Sequence, residues 1–345
     1  MADENKQAQT NTQSKNGASA LVQTQNHFLA DVQEMANNSQ ITLDEYAKTC
    51  VITAISAAYN VLLEKGNDFK GIDNGKFLAS LQGVALHKLN LANGELFVDY
   101  HKGYGGKKDT LTFAIQGNGW ESIVNRFGQG VKKENRSALS HYWAVREGDE
   151  FTLPSFNGFE IEPPKWQPKF DSTKKVIYIV YGLKREDDSI EWLIRDRESV
   201  KANLIAHVIN SGRSFFRNNP KQQEAFYQYA ESKKLDELLD LGNNGIDECF
   251  HIVRNDQTPV WISPAWTSPS SREPMIIRKM RNNALKQYPL DFDNTAYRTS
   301  LQAIDSDLDQ SIYQADEPKT EEDKPALADF EIAEVDNKEL EGKGE

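Results

Sequence analysis

The chain has 345 residues, 38% of them hydrophobic and 27% charged, with a formal net charge of −12. That length and apolar content suffice for one elaborated domain with a substantial core, and the longest apolar runs, such as Val176 to Tyr181, are far too short to cross a bilayer. Two cysteines, Cys50 and Cys249, and six scattered histidines exclude a disulfide framework and supply no zinc-ligand spacing.

The charge is unevenly placed. From Leu301 onward 15 acidic residues face 4 lysines, so −11 of the −12 resides there and residues 1–300 are close to neutral. A near-neutral body can carry strongly basic strips while its tail supplies the acid. The first residues, Met-Ala-Asp-Glu-Asn-Lys-Gln followed by Gln, Asn, Ser and Thr, lack the basic start and apolar stretch of a secretory signal, which gives the expectation of a cytoplasmic protein.

In chain order, residues 1 to about 26 are polar and without aliphatic periodicity, and the arm up to residue 40 is expected to be mostly disordered. Thr42-Leu43-Asp44-Glu45 fits a capping box with Thr42 as N-cap. The stripe Tyr46, Ala47, Cys50, Val51, Ala54, Ile55, Ala58, Val61, Leu62 then predicts a core helix up to Gly66, with Cys50 as a buried thiol. A second helix is expected from Asn74 or Gly75 to about Leu89. Alternation at Leu96, Val98, Tyr100 and at Leu111, Phe113, Ile115 predicts a hairpin, with a lysine-rich tip over residues 102–108 that three glycines should leave mobile. Gly117-Asn118-Gly119 breaks the second strand, and Trp120, Ile123, Val124 and Phe127 have the spacing of a short helix ending at Gly128.

A strand with a Gly-Asp turn is expected over Tyr142 to Phe151, and Pro154, Pro163, Pro164 and Pro168 mark an irregular excursion. Residues 175–184 and 190–195 predict a second hairpin. Helical patterning resumes at Glu198, a Trp- and Pro-containing loop covers 261–271, and a last helix is expected from about Arg272 to Gln287. Beyond Asp291 the polar, acidic sequence predicts a flexible tail. The fold class is therefore α+β, antiparallel hairpins packed with helices.

Three features carry candidate chemistry. In the last helix Ile276, Met280 and Ala284 share one face while Arg278, Lys279, Arg281, Asn282 and Lys286 project from the rest, an amphipathic basic helix whose cations can pair with successive phosphates or form an ordinary solvated surface. The tip carrying Lys102, Tyr104, Lys107 and Lys108 either keeps an edge strand soluble or binds a strand, with Tyr104 placed to stack on a base. Gly117-Asn118-Gly119 delivers a strand into a helix N-terminus, where amides and dipole favour phosphate. Lys132, Lys133 and Arg136 add a further basic stretch. Tyr142, Trp143, Trp120 and Trp266 fit core packing better than stacking.

The run Thr110-Leu111-Thr112-Phe113-Ala114-Ile115-Gln116-Gly117-Asn118-Gly119-Trp120-Glu121-Ser122-Ile123-Val124-Asn125-Arg126-Phe127-Gly128 resembles the strand-to-helix core of the RecT family of phage single-strand annealing proteins. Val145 to Phe151 resembles that family's Glu-Gly-Asp strand, Trp266 with Arg278 to Tyr288 its Trp and late basic helix, and Leu78 to Leu91 the helix before its first strand. The chain departs from the family's Gly-Tyr-Arg/Lys-Gly at Gln116 to Gly119, so phosphate binding there would fall to backbone amides and Asn118, with Arg126, Lys107 and Lys108 supplying charge. The stretches 129–141 and 202–259 are longer than the family pattern, and no role is carried over to them.

The resemblance implies the β-β-β-α annealing-protein superfamily and ATP-independent annealing of single-stranded DNA in phage homologous recombination, by a homo-oligomeric ring or filament. It implies no cofactor for annealing, with Mg2+ as a modulator of DNA binding, and no covalent catalytic step. The partners are single-stranded DNA, annealed duplex, further copies of the chain and, through the tail, a phage exonuclease or single-strand-binding protein, without a membrane. The domains are then an arm at 1–40, a DNA-binding and oligomerisation core at 41–290 and an acidic tail at 291–345. The expected cations converge into one continuous channel. Two alternatives stand beside this: a metal-dependent nuclease using Glu147, Asp149 and Glu150, and a phage assembly or scaffold protein.

Overall fold

A computed structural model describes residues 21–103, 105–133, 138–158, 160–244 and 262–305, all within the first of the chain's two units, Met1–Leu308. Residues 1–20, Tyr104, Arg136, Cys249, Trp261 and the sequence after 305 lie outside the described residues.

The first layer is helical. Helix α1 covers residues 21–38 and buries Phe28, Val32 and Ala36 at i, i+4, i+8. This corrects the expected arm over 21–40: three apolar residues on one face, among polar neighbours, give the segment a core contact. Helix α2, Glu45–Glu64, starts two residues later than the capping box predicts. Asp44, not Thr42, is its N-cap, with an extended backbone and a carboxylate that accepts the Ala47 N–H at 2.8 Å. By length and composition α2 is apolar enough to cross a membrane, but one face lies in the core through Cys50, Val51, Ala54, Ile55, Ala58 and Leu62. Burial pushes the Cys50 thiol up to about 11. Helix α3, Asn74–His87, is capped by Asp73 and ends at Lys88 in a left-handed conformation.

Strands β1, Leu96–His101, and β2, Thr110–Ile115, pair antiparallel from Leu96↔Ile115 to His101↔Thr110. Leu111, Phe113 and Ile115 are buried in the core, where the Phe113 and Phe77 rings meet. The chain then enters α4, Gly117–Phe127. A second sheet has the order β3-β8-β9, all antiparallel, from Trp143–Arg146, Val176–Lys184 and Ile190–Asp196.

Between β3 and β8 the expected irregular excursion is instead an ordered ribbon. Strands β4, Glu150–Thr152, and β7, Lys165–Gln167, pair, as do β5, Ser155–Asn157, and β6, Glu160–Glu162, and the two pairs continue one register. In that register Pro154 stands opposite Pro163, so the ladder breaks where neither strand has an N–H to donate. Phe156 and Ile161 face each other across the ribbon and are exposed.

Helices α5, Lys201–Ser211, α6, Arg213–Asn218, α7, Pro220–Glu231, and α8, Leu235–Asn244, follow, then a short α9, Pro264–Thr267, and α10, Arg272–Lys286. The apolar stripe of α10, Ile276, Met280 and Ala284, is buried as its spacing predicts, and the helix packs against α4, β8 and β9. Arg197, almost fully buried, pairs with Asp236 and Glu273 at 3.0 Å each, and Arg272 pairs with Asp236 and Asp240. Against the upward push of burial, Arg197 and Lys175 hold the Asp236 carboxyl down to about 2.

Part of the stretch expected to be flexible from 291 is instead helical: α11, Thr295–Ile304, packs on α3. At that contact His87 is wholly buried, donates from Nε2 to the Tyr297 carbonyl at 2.9 Å and meets the rings of Phe127, Phe292 and Tyr297. Burial, assisted by the Arg126 charge, lowers its pKa to about 4, against the opposing hydrogen bond to Tyr297.

Two outcomes follow for stability. The folded state holds His87 neutral, so stability is undiminished above the unfolded pKa near 6.5 and falls as pH drops toward 4, by about 3 kcal/mol from this group. Urea melts at pH 7, 5.5 and 4 should show that slope in the wild type and its reduction in His87→Phe. Arg197→Ala leaves Glu273 without its ion-pair partner and Asp236 with Lys175 and Arg272 only, and should cost about 3 kcal/mol in the same assay at pH 7.

Candidate nucleic-acid interface

The strand-to-helix junction is built from three directions. Gln116, extended at the N-cap of α4, offers no side-chain cap, and its carbonyl takes the N–H groups of Gly119 and Trp120. From α10 the Arg281 guanidinium reaches across: its Cζ lies 3.1 Å from where a Cβ on Gly117 would stand, so no larger residue fits there without displacing it. Arg281 donates to Asn118 Oδ1 at 2.7 Å, Glu121 Oε1 at 2.6 Å and the Tyr181 hydroxyl at 3.1 Å, and lies 4.5 Å above the Tyr142 ring. Burial works against its charge, but Tyr181 and Glu121 hold the guanidinium protonated and raise its pKa. Burial likewise raises that of Tyr181, whose hydroxyl donates to Glu121. A cation beside the positive end of a helix dipole is unfavourable by itself. Glu121 offsets it with an ion pair of 2.6 Å.

The lysine-bearing loop lies at the other end of the same hairpin. Lys102, Lys107 and Lys108 are exposed. The glycine-rich tip is more constrained than its composition predicts, because Asp109 latches it. One carboxylate oxygen accepts the Gly103 N–H at 2.8 Å, and the other accepts Asn67 Nδ2 at 2.6 Å and the Tyr100 hydroxyl. Gly103 closes against the loop backbone, where an added Cβ would sit 2.1 Å from the Lys107 carbonyl oxygen. The Tyr100 hydrogen bond first, then the Gly103 N–H, keep the Asp109 carboxyl below its ordinary range. The six residues of β2 separate this loop from the junction by about 20 Å at ~3.3 Å per residue.

The remaining predicted cations have other partners. Arg126, at the far end of α4 from the junction, donates to the carbonyls of His87 at 2.6 Å and Lys88 at 3.1 Å and so satisfies the end of α3. Its guanidinium is therefore taken up at the α3 end of the helix rather than beside Asn118. Lys132 pairs with Asp188 at 2.6 Å, and Lys286 pairs with Asp305 at 2.6 Å and lies 5.3 Å over the Trp120 ring. Arg278 is half-buried and contacts Met275 Sδ, Lys279 is half-buried, and Lys133 is exposed. Trp120 and Trp266 are core residues as expected. Trp143 stacks on Trp166 with centroids 5.6 Å apart.

Of the acidic triplet, Asp149 has partners of its own. Asp149 accepts the N–H groups of Arg146 and Lys169 and Trp166 Nε1, each at 2.9 Å. Burial alone would raise its pKa, but these donors lower it. The carboxylate thus ties the base of the ribbon to the segment after β7. Sequence reasoning missed this segment, Lys165 to Lys175, whose lysines at 165, 169 and 174 are exposed together with Phe170. The available signal was the interleaving of lysine and aromatic residues in Lys-Trp-Gln-Pro-Lys-Phe, obscured by the prolines.

Among the described residues no three His, Cys, Asp or Glu side chains gather as a metal ion would need. No family model matches the chain, and comparison with curated proteins and with solved structures gives no match.

The latch is separately testable. Asp109→Ala should release the loop and raise the rate of limited tryptic cleavage after Lys102, Lys107 and Lys108 several-fold, mapped by mass spectrometry, with cleavage elsewhere unchanged.

Proposed function

We propose that this protein binds single-stranded DNA and anneals complementary strands without ATP, acting as an oligomer in the manner of the RecT family, whose segments the chain resembles in order from Leu78 to Pro289. The observation that carries the reading is the junction, where the N-terminus of α4, Asn118 and the Arg281 guanidinium meet on the run that most resembles the family. Phosphates bound at that junction and at the lysine loop would lie on one hairpin, about 20 Å apart, a span of several nucleotides. Backbone binding of this kind leaves base edges free, so base pairing selects the partner strand.

The β-β-β-α superfamily belongs to this proposal as well. Its support is that β1 and β2 run directly into α4, with β8 tied to α4 through Tyr181 and Glu121.

The test is annealing of two complementary labelled oligonucleotides followed by fluorescence transfer, without nucleotide or metal. Acceleration over the spontaneous rate is expected, and none would refute the reading. Replacing Lys102, Lys107 and Lys108 together with Ala should flatten the slope of log affinity against log salt by about 2, at about 0.7 for each phosphate of a single strand that a lysine neutralises. Affinity measured at four salt concentrations checks this.

A further inference from the structure

Phe170 is the most exposed large apolar side chain among the described residues, at 88%, and its backbone is left-handed, with φ of 57°. A bulky residue in that region is a backbone outlier, and here the strain accompanies a ring held in solvent.

The loop that presents it is constructed. Asp149 accepts the Lys169 N–H on one side. On the other, the Arg146 guanidinium donates to the carbonyls of Ser172 at 3.4 Å and Lys174 at 2.5 Å. Asp171 closes the tip by accepting the N–H and hydroxyl of Thr173. The base below is the stack of Trp166 on Trp143.

Charge indicates what the ring meets. Residues 165–175 carry four lysines, of which Lys175 pairs with Asp236, against Asp171, and the facing stretch adds Arg146 with Glu147, Asp149 and Glu150. Lys165, Lys169 and Lys174 are exposed, and none of them is in an ion pair among the described residues. The outer ribbon, residues 153–163, carries Glu160 and Glu162 and no cation. The root of the ribbon therefore offers a polyanion cations that its tip lacks. An exposed aromatic ring among cations is the arrangement on which single-stranded nucleic acid stacks its bases while lysines hold the phosphates.

We propose that Phe170 is a base-stacking platform for single-stranded nucleic acid, with Lys165, Lys169 and Lys174 as its phosphate contacts and Arg146 and Asp149 as positioning residues. This rests on the nucleic-acid-binding reading above and adds a third contact region to it.

The experiment compares full-length wild type, Phe170→Ala, Phe170→Gly and Phe170→Trp on a thymidine oligonucleotide and on an abasic oligonucleotide of equal length, by fluorescence anisotropy. Phe170→Ala and Phe170→Gly should bind the thymidine strand about tenfold more weakly and the abasic strand as the wild type does, while Phe170→Trp restores binding. Glycine suits a φ of 57°, so Phe170→Gly should melt no lower than the wild type, which separates a stacking defect from a folding defect. If the wild type binds the thymidine strand and Phe170→Ala binds it equally well, stacking is overturned and DNA binding stands. Equal weakening on both strands also overturns stacking. If Phe170→Ala instead lowers the oligomer mass in light scattering at unchanged affinity, the ring belongs to a subunit contact and the proposal falls. A wild type that binds neither strand overturns the underlying reading and this assignment with it.

Discussion

The arrangement depends on one nearly buried guanidinium. Arg281 comes from α10, Asn118 and Glu121 from α4, Tyr181 from β8, and Tyr142 lies beneath the group. A charge with 15% of its side chain exposed is tolerable only when paired and hydrogen-bonded, since an uncompensated buried charge costs several kcal/mol. Satisfying it therefore places the first hairpin's helix, the central strand of the second sheet and the late helix in one mutual geometry. The same requirement brings a positive group, paired with Glu121, to the N-terminal end of α4.

Two aspartates repeat one device elsewhere. Asp109 and Asp149 are half-buried carboxylates that collect N–H and O–H donors from separate stretches of chain, and each fixes a lysine-rich segment beside a two-stranded ribbon. A two-stranded ribbon has little core to hold its connections. Charge-assisted hydrogen bonds can order such loops without burying the lysines, and exposed lysines in a fixed geometry are what a phosphate chain needs.

Several elements were legible because their information is local. The stripe of α2, the alternation of β1 and β2, the glycine break before α4 and the amphipathic pattern of α10 appear where periodicity places them. The misreadings arose where a long-range contact decided the matter. Helix α1 depends on Phe28, Val32 and Ala36 reaching a core supplied by other elements, α11 depends on the surface of α3, and the ribbon depends on a cross-strand register that prolines disguise. Among the candidate site residues, Asn118 and Arg281 meet although 163 positions apart, whereas Arg126, adjacent in sequence to the junction helix's other residues, caps a different helix.

By itself the sequence determined the type of the strongly periodic elements, the hairpin-and-helix class and the concentration of acid after Leu301, because periodicity, turn chemistry and charge are properties of neighbouring residues. Only the tertiary structure decided which cations remain available and which are consumed. Whether Arg126, Lys132 or Lys286 faces a carbonyl, a carboxylate or water depends on partners brought in from distant segments, and electrostatic pairing acts over a few ångströms of space irrespective of separation along the chain.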